Sequence, residues 1–219
     1  SGNTGACFMY IGVNGSGDGV LVPASGNAVA GITLDAWNHI AIARESSTER
    51  TFINGVLKGS NTNTTNFSSN ATATIGTRYA AGTSGAASGS WCGVDGYISN
   101  LRVVKGTAVY TSAFTPPTAP VADVTNTKLL TNFTNAAMFD QTGKTNVETV
   151  GNAQLDTSYK KFGTASAEFD GTGDRLVISN YDVAPVGTQS FTVECFIYVG
   201  DVSNYRCVYS AGFGIQIYV

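Results

Sequence analysis

The chain has 219 residues, 42% of them hydrophobic but only 12% charged, about half the usual charged share of ~25%. A net charge of −3 and the lack of any Lys/Arg cluster exclude a phosphate-binding stripe, so nucleic acid is not an expected partner. No apolar run approaches the ~20 residues of a membrane helix, so membrane insertion is not expected either.

Taken in chain order, the elements read as strands. Residues 6–13 form the first. Residues 37–44, Trp37-Asn-His39-Ile-Ala-Ile-Ala-Arg44, form another, with Trp37, His39 and Ala41 on one face. Asn54-Gly55 between two apolar runs is a strong hairpin signal, because both residues tolerate positive φ. The Gly/Ser/Ala-rich residues 80–90 are expected to be a loop. Residues 94–104 form a strand that runs into a Gly-marked turn and the Pro-rich FTPPTAP. Strands are further expected over 164–169, 190–199 and 213–219. In the second of these, Phe191, Val193, Cys195 and Ile197 alternate with Thr192, Glu194, Phe196 and Tyr198. No window has an apolar stripe of period 3.6, so helix should be under about 8%. Short strands parted by turn signals predict an all-β, antiparallel β-sandwich.

Four cysteines, Cys7, Cys92, Cys195 and Cys207, are too few and too scattered for a disulfide framework or a zinc site. Cys195 and Cys207 flank an expected hairpin turn at 200–204, which would set them nearly opposite each other. The plainer reading is buried free thiols. His39 is the sole histidine and has no nucleophile motif beside it, so it reads as a hydrogen-bonded strand residue. Asn-x-Ser/Thr sequons at Asn63, Asn66, Asn70 and Asn132 are no more than an Asn/Thr-rich chain should contain.

Several motifs together carry a family resemblance. The W-x-H strand, FINGVLKG, ATATIG and DGYISNLRVVKGTAVYTSAFTPP resemble the second half of a laminin-G-like, concanavalin A-type jelly roll. Residues 126–130 (NTKLL), FDQTGK, KFGTASAEFDGTGDRLVIS and QSFTVECFIYV resemble the first half. The likeness is to versions found in phage tail fibres and large bacterial surface proteins. The halves stand in reversed order: 1–118 as the C-terminal half, 119–125 as a Pro-rich linker, and 126–219 as the N-terminal half. A tandem segment is the favoured arrangement, because FTPPTAP has the composition of an inter-domain linker, and it would hold halves of two domains, each completed from outside the chain. A circular permutant would interleave them in one sandwich, and swapping between identical chains is a third arrangement. All three require residues 214–219 to lie against a copy of residues 6–13.

The resemblance implies a non-enzymatic structural or adhesive module of a virion fibre or repeat-built surface filament, on the virion or the cell surface. Its partners would be copies of itself or adjacent laminin-G-like domains. The competing expectation is a lectin module that recognises cell-surface glycans, with Tyr79, Trp91 and Tyr205 as stacking rings. Jelly-roll glycosidases use paired carboxylates, whereas Glu194 is a lone acid on its strand, so no enzyme is expected. No cofactor is expected unless calcium, which relatives of this fold often hold. Its ligands here would be Asp170 and Asp174 in the DGTGD loop, or Asp140 in FDQTG. The alternative is that these are Asp/Gly turns, each carboxylate bonding its own backbone.

Overall fold

A computed structural model describes residues 4–13, 16–22, 29–67, 72–78, 92–184, 187–202, 204, 206–211 and 215–219. Within them lie sixteen strands and one short 3-10 turn at Tyr181–Val183. From the first half come β1 (Thr4–Val13), β2 (Ser16–Val22), β3 (Val29–Thr33), β4 (Trp37–Glu45), β5 (Thr48–Ile53), β6 (Val56–Thr62), β7 (Ala73–Ile75) and β8 (Asp95–Lys105). The second half supplies β9 (Thr127–Thr131), β10 (Val147–Val150), β11 (Gln154–Asp156), β12 (Ser166–Asp170), β13 (Arg175–Ile178), β14 (Phe191–Val199), β15 (Cys207–Ala211) and β16 (Ile215–Tyr218). The strands read from the sequence lie within a residue or two of these bounds. Asn54 (φ 50°) and Gly55 (φ 76°) make the tight β5–β6 turn with the positive φ values their pairing predicts.

The strands form two antiparallel sheets. The first runs β10-β13-β7-β15-β16-β1-β2, with β3 also paired to β1. The second runs β11-β12-β8-β14-β4-β5-β6, with β9 also paired to β8. Both sheets contain strands of both sequence halves. Strand β8 of the first half lies between β12 and β14 of the second, and β7 lies between β13 and β15. Residues 215–218 pair with β1 of the same chain, Ile215 opposite Ile11 and Tyr218 opposite Phe8. Ile215 and Ile217 are buried.

Alternation along each strand builds one core between the sheets. Phe191, Val193, Cys195, Ile197 and Val199 of β14 all turn inward, against Ile215, Ile217 and Tyr209 of the facing sheet and Ile40 and Ile42 of β4. Each large apolar side chain so buried contributes about 1.5–3 kcal/mol. Cys195 is part of this core, on the second sheet, whereas Cys207 opens β15 on the first. The two cysteines are therefore not hairpin partners, because β14 and β15 belong to different sheets. A β-bulge corrects the alternation of β8. Glu194 pairs with Arg102, but Phe196 pairs with Ser99, and Asn100 takes up the extra residue at φ 54°. Leu101 and Val103 thus face the core while Arg102 faces away from it.

The residues after β8 do not run free as an inter-domain linker. They fold back as a strap on the outer face of the second sheet. Phe114 N–H donates to Gly55 O at 2.9 Å, Val121 is buried, and Ala122 O accepts from Arg102 at 2.7 Å.

Candidate functional site

The outer face of β4, β14 and β8 is built of cross-strand rows, because residues two apart share a face. From one end to the other the rows are Trp37/Tyr198/Tyr97, His39/Phe196/Ser99, Ala41/Glu194/Arg102 and Ala43/Thr192/Val104. An antiparallel sheet commonly leaves such a face to solvent. Here the strap covers His39 and the two rows beyond it, while Phe162 and Lys161 pack on Phe196. Tyr110 and Phe114 stack on each other with centroids 3.7 Å apart and cover Ala41, Ala43 and Phe52. Farther along the strap, Val109 N–H donates to Thr192 Oγ1 at 2.8 Å.

Beneath the strap lies a polar cluster centred on Glu194. Its Oε2 lies 3.0 Å from His39 Nε2 and accepts from the Tyr110 hydroxyl at 2.8 Å. Its Oε1 accepts from both Nε (2.8 Å) and a terminal nitrogen of Arg102. Burial alone would push the carboxyl up, but His39, Arg102 and Tyr110 outweigh it and hold it below the usual glutamate range. The Tyr110 hydroxyl is pushed up, by burial and then by the Glu194 charge. The side chains of His39 and Glu194 have no solvent exposure, so no substrate reaches them. The cluster fastens the strap to the sheet. His39 is the hydrogen-bonded strand residue that its setting in the sequence predicts.

The remaining row stays open and is aromatic. Trp37 and Tyr198 meet edge to face at 5.8 Å, and Tyr198 meets Tyr97 at 5.9 Å. Tyr159, from the loop between β11 and β12, stacks on Tyr97 at 4.7 Å and 11° and lies 5.3 Å from Tyr198. Tyr159 N–H and Ser158 N–H both donate to Asp156 Oδ1, and its carbonyl accepts from Ser166 Oγ, so the ring is held in place. Tyr159 is 46% exposed, while Trp37, Tyr97 and Tyr198 are half-buried. Polar groups border the row: the Tyr97 hydroxyl faces Glu168 Oε1, and Gln154 donates to Glu168 Oε2 at 2.9 Å. Burial, Glu168 and Asp156 push the Tyr97 phenol up to about 12. The ammonium of Lys161 lies 5.2 Å from the Phe196 ring, one row further in. Rings flanked by carboxylates, an amide and an ammonium suit a flat-faced polar ligand. A second open depression, of about 330 Å³, is lined by Gly143, Lys144, Thr145, Asn146, Ser179 and Asn180 and has no ring in its wall.

The aspartates singled out in the sequence sit in two separate turns. Asp140 Oδ1 accepts from the N–H groups of Leu130 and Thr142, and Oδ2 from Lys144 N–H, Thr145 N–H and the Thr142 hydroxyl. Asp174 accepts from the N–H groups of Asn152 and Asp170, while Asp170 accepts from Thr172 N–H and the Asn152 amide. All six oxygens face donors, and among the described residues no three His, Cys, Asp or Glu side chains converge as metal ligands would. Tyr79, Trp91 and Tyr205 lie outside the described residues, as does Asn70. Asn63 is buried and spends its amide on Glu49. The open aromatic row is the feature that strand-by-strand reading misses. Trp37, Tyr97 and Tyr198 stand at outward positions near strand ends, but only the register between strands shows that they are neighbours, and Tyr159 joins them from a loop.

Two face-to-face antiparallel sheets, one with a sealed polar face ending in an open aromatic row, define a lectin-type β-sandwich. The laminin G model of the concanavalin A-like lectin/glucanases superfamily matches residues 2–112, just over half of the 219, and the chain belongs to this family. Such domains serve in general as carbohydrate-binding or adhesive modules, are typically non-catalytic and are commonly extracellular. Comparison with curated proteins and comparison with solved structures each give no match. No helix among the described residues is long and apolar enough to cross a membrane.

Proposed function

We propose that this chain is a non-enzymatic adhesive module of a virion fibre or surface filament that binds cell-surface glycans across Trp37, Tyr198, Tyr97 and Tyr159. The observation that carries this reading is the half-exposed Tyr159 ring, held beside three others at the one stretch of the outer face the strap leaves open. Aromatic faces take the apolar side of a pyranose, and Glu168, Gln154 and the tyrosine hydroxyls are placed to bond sugar hydroxyls. Binding on this reading needs no calcium, since the aspartate oxygens of both turns are already engaged by N–H donors. Within a fibre the module would pack against copies of itself or adjacent laminin-G-like domains.

A glycan array followed by calorimetry tests the reading. The wild-type chain should bind one glycan class saturably and equally well in a chelator. Tyr159→Ala should weaken binding about tenfold, or ~1.4 kcal/mol, without changing the melting temperature. Full binding by a Tyr159→Ala/Trp37→Ala double variant would show that the site lies elsewhere. Failure to bind any glycan would leave a purely structural module.

A further inference from the structure

Two cysteines from distant parts of the sequence are held together by their backbones at one end of the first sheet. Cys92 stands just before β8, and Cys207 opens β15. The Cys207 N–H donates to the Cys92 carbonyl at 2.8 Å. One N–H···O bond of that length, with ordinary backbone bond lengths on either side, keeps the two Cα atoms within about 6.7 Å, inside the ~4.4–6.8 Å range a disulfide spans.

Cys92 Sγ lies 3.8 Å from Thr77 Oγ1. The Cys207 thiol donates to Tyr209 O at 3.6 Å. The surrounding backbone is pinned: Gly76 N–H donates to Val208 O at 3.0 Å, Val94 N–H to Gly76 O at 2.8 Å, and Arg206 to Gly93 O at 3.1 Å. Both cysteines are fully buried, and neither is bonded to another cysteine in this structure. Burial, followed by the proximity of Cys92, pushes the Cys207 thiol well up. The folded, reduced protein is therefore slow to react, because thiolate is scarce and access is closed.

We infer that Cys92 and Cys207 are a disulfide pair, joined when the chain folds in an oxidising compartment. In that step each thiol loses its hydrogen and one S–S bond forms. The two electrons and two protons pass to a small-molecule disulfide, which is reduced to two thiols. The bond would fasten the start of the β8 segment to β15, across the junction of the two sequence halves. It does not depend on the glycan reading.

The test refolds the full chain in a mixture of reduced and oxidised glutathione, blocks free thiols and maps the peptides by mass spectrometry. The expected result is a Cys92–Cys207 cross-linked peptide and a melting temperature that falls when a reductant is added. Cys92→Ala and Cys207→Ala variants should lose both, and if either variant fails to fold, the wild-type map alone decides. Recovery of both cysteines blocked as free thiols, as glutathione adducts, or cross-linked to Cys7 or Cys195 instead would overturn the assignment.

Discussion

Glu49 and Glu194 are both buried, but their neighbours differ. Glu194 has three donors, whereas Glu49 accepts from Asn63 at 3.1 Å through Oε2 and leaves Oε1 without a partner. Arg44, its cross-strand neighbour, spends its guanidinium on the carbonyls of Gln189, Thr65 and Gly187 and lies 4.3 Å above the Phe67 ring. Burial therefore prevails over Asn63 and Arg44, and the Glu49 carboxyl rises from the ordinary glutamate value of 4.5 to about 7. Between those values the folded chain keeps a proton that the unfolded chain releases. Stability should thus fall as pH rises through this window, by on the order of 3 kcal/mol once both states are ionised. Glu194, held low, acts in the opposite sense: its contribution is present above the unfolded glutamate value and is lost in acid. Glu49→Gln keeps the Asn63 bond and removes the titration. Denaturant midpoints measured from pH 5 to pH 8 should decline in the wild type and stay nearly level in the variant. A parallel decline in both would assign the pH dependence to another group.

The strap is the element that decides what this sandwich exposes, and the sequence disguises it. Gly106, the paired prolines at 116–117 and the small residues between them carry the composition of a linker. Its aromatic anchors, Tyr110 and Phe114, have no period that announces a partner. Their partners, His39, Phe52 and Glu194, come from three strands brought together only by tertiary pairing. Strand positions, by contrast, were legible because a half-buried strand writes its own alternation. The aromatic row stayed hidden for the same reason as the strap: cross-strand neighbours are a property of register, not of any one strand. Gly55 gives a test of the strap contact. It holds φ 76°, and a Cβ there would stand 1.9 Å from Phe114 O. Gly143 has a similar φ of 68° but open space around it. Gly143→Ala should cost only the backbone penalty, about 1–2 kcal/mol. Gly55→Ala must also displace the strap and should cost about 3 kcal/mol or more, with Tyr110 and Phe114 becoming more exposed to fluorescence quenchers. Equal losses in the two variants would mean that the strap yields at no cost.

At the scale of the whole molecule, the reversed order of motifs has a mechanical consequence. Seven strand pairings join the first half to the second: β1 with β16, β8 with β9, β12 and β14, β7 with β13 and β15, and β4 with β14. The core is shared in the same way, since Ile40, Ile42 and Ile98 of the first half pack in one cluster with Phe191, Ile197 and Ile217 of the second. Residues 1–118 alone would leave both edges of β8 and both edges of β7 unpaired, and unpaired edges beside exposed apolar faces favour association over folding. Residues 126–219 alone would lack the strands on either side of β14. Neither fragment should unfold cooperatively by itself. Mixed in equal amounts, they should assemble into a 1:1 complex with the β-sheet circular dichroism and the sharp thermal transition of the intact chain. Their affinity would measure the same seven pairings and shared core that hold the single chain together. A cooperative transition in either isolated fragment would show that one half carries a self-sufficient core, contrary to the interleaving of strands in both sheets.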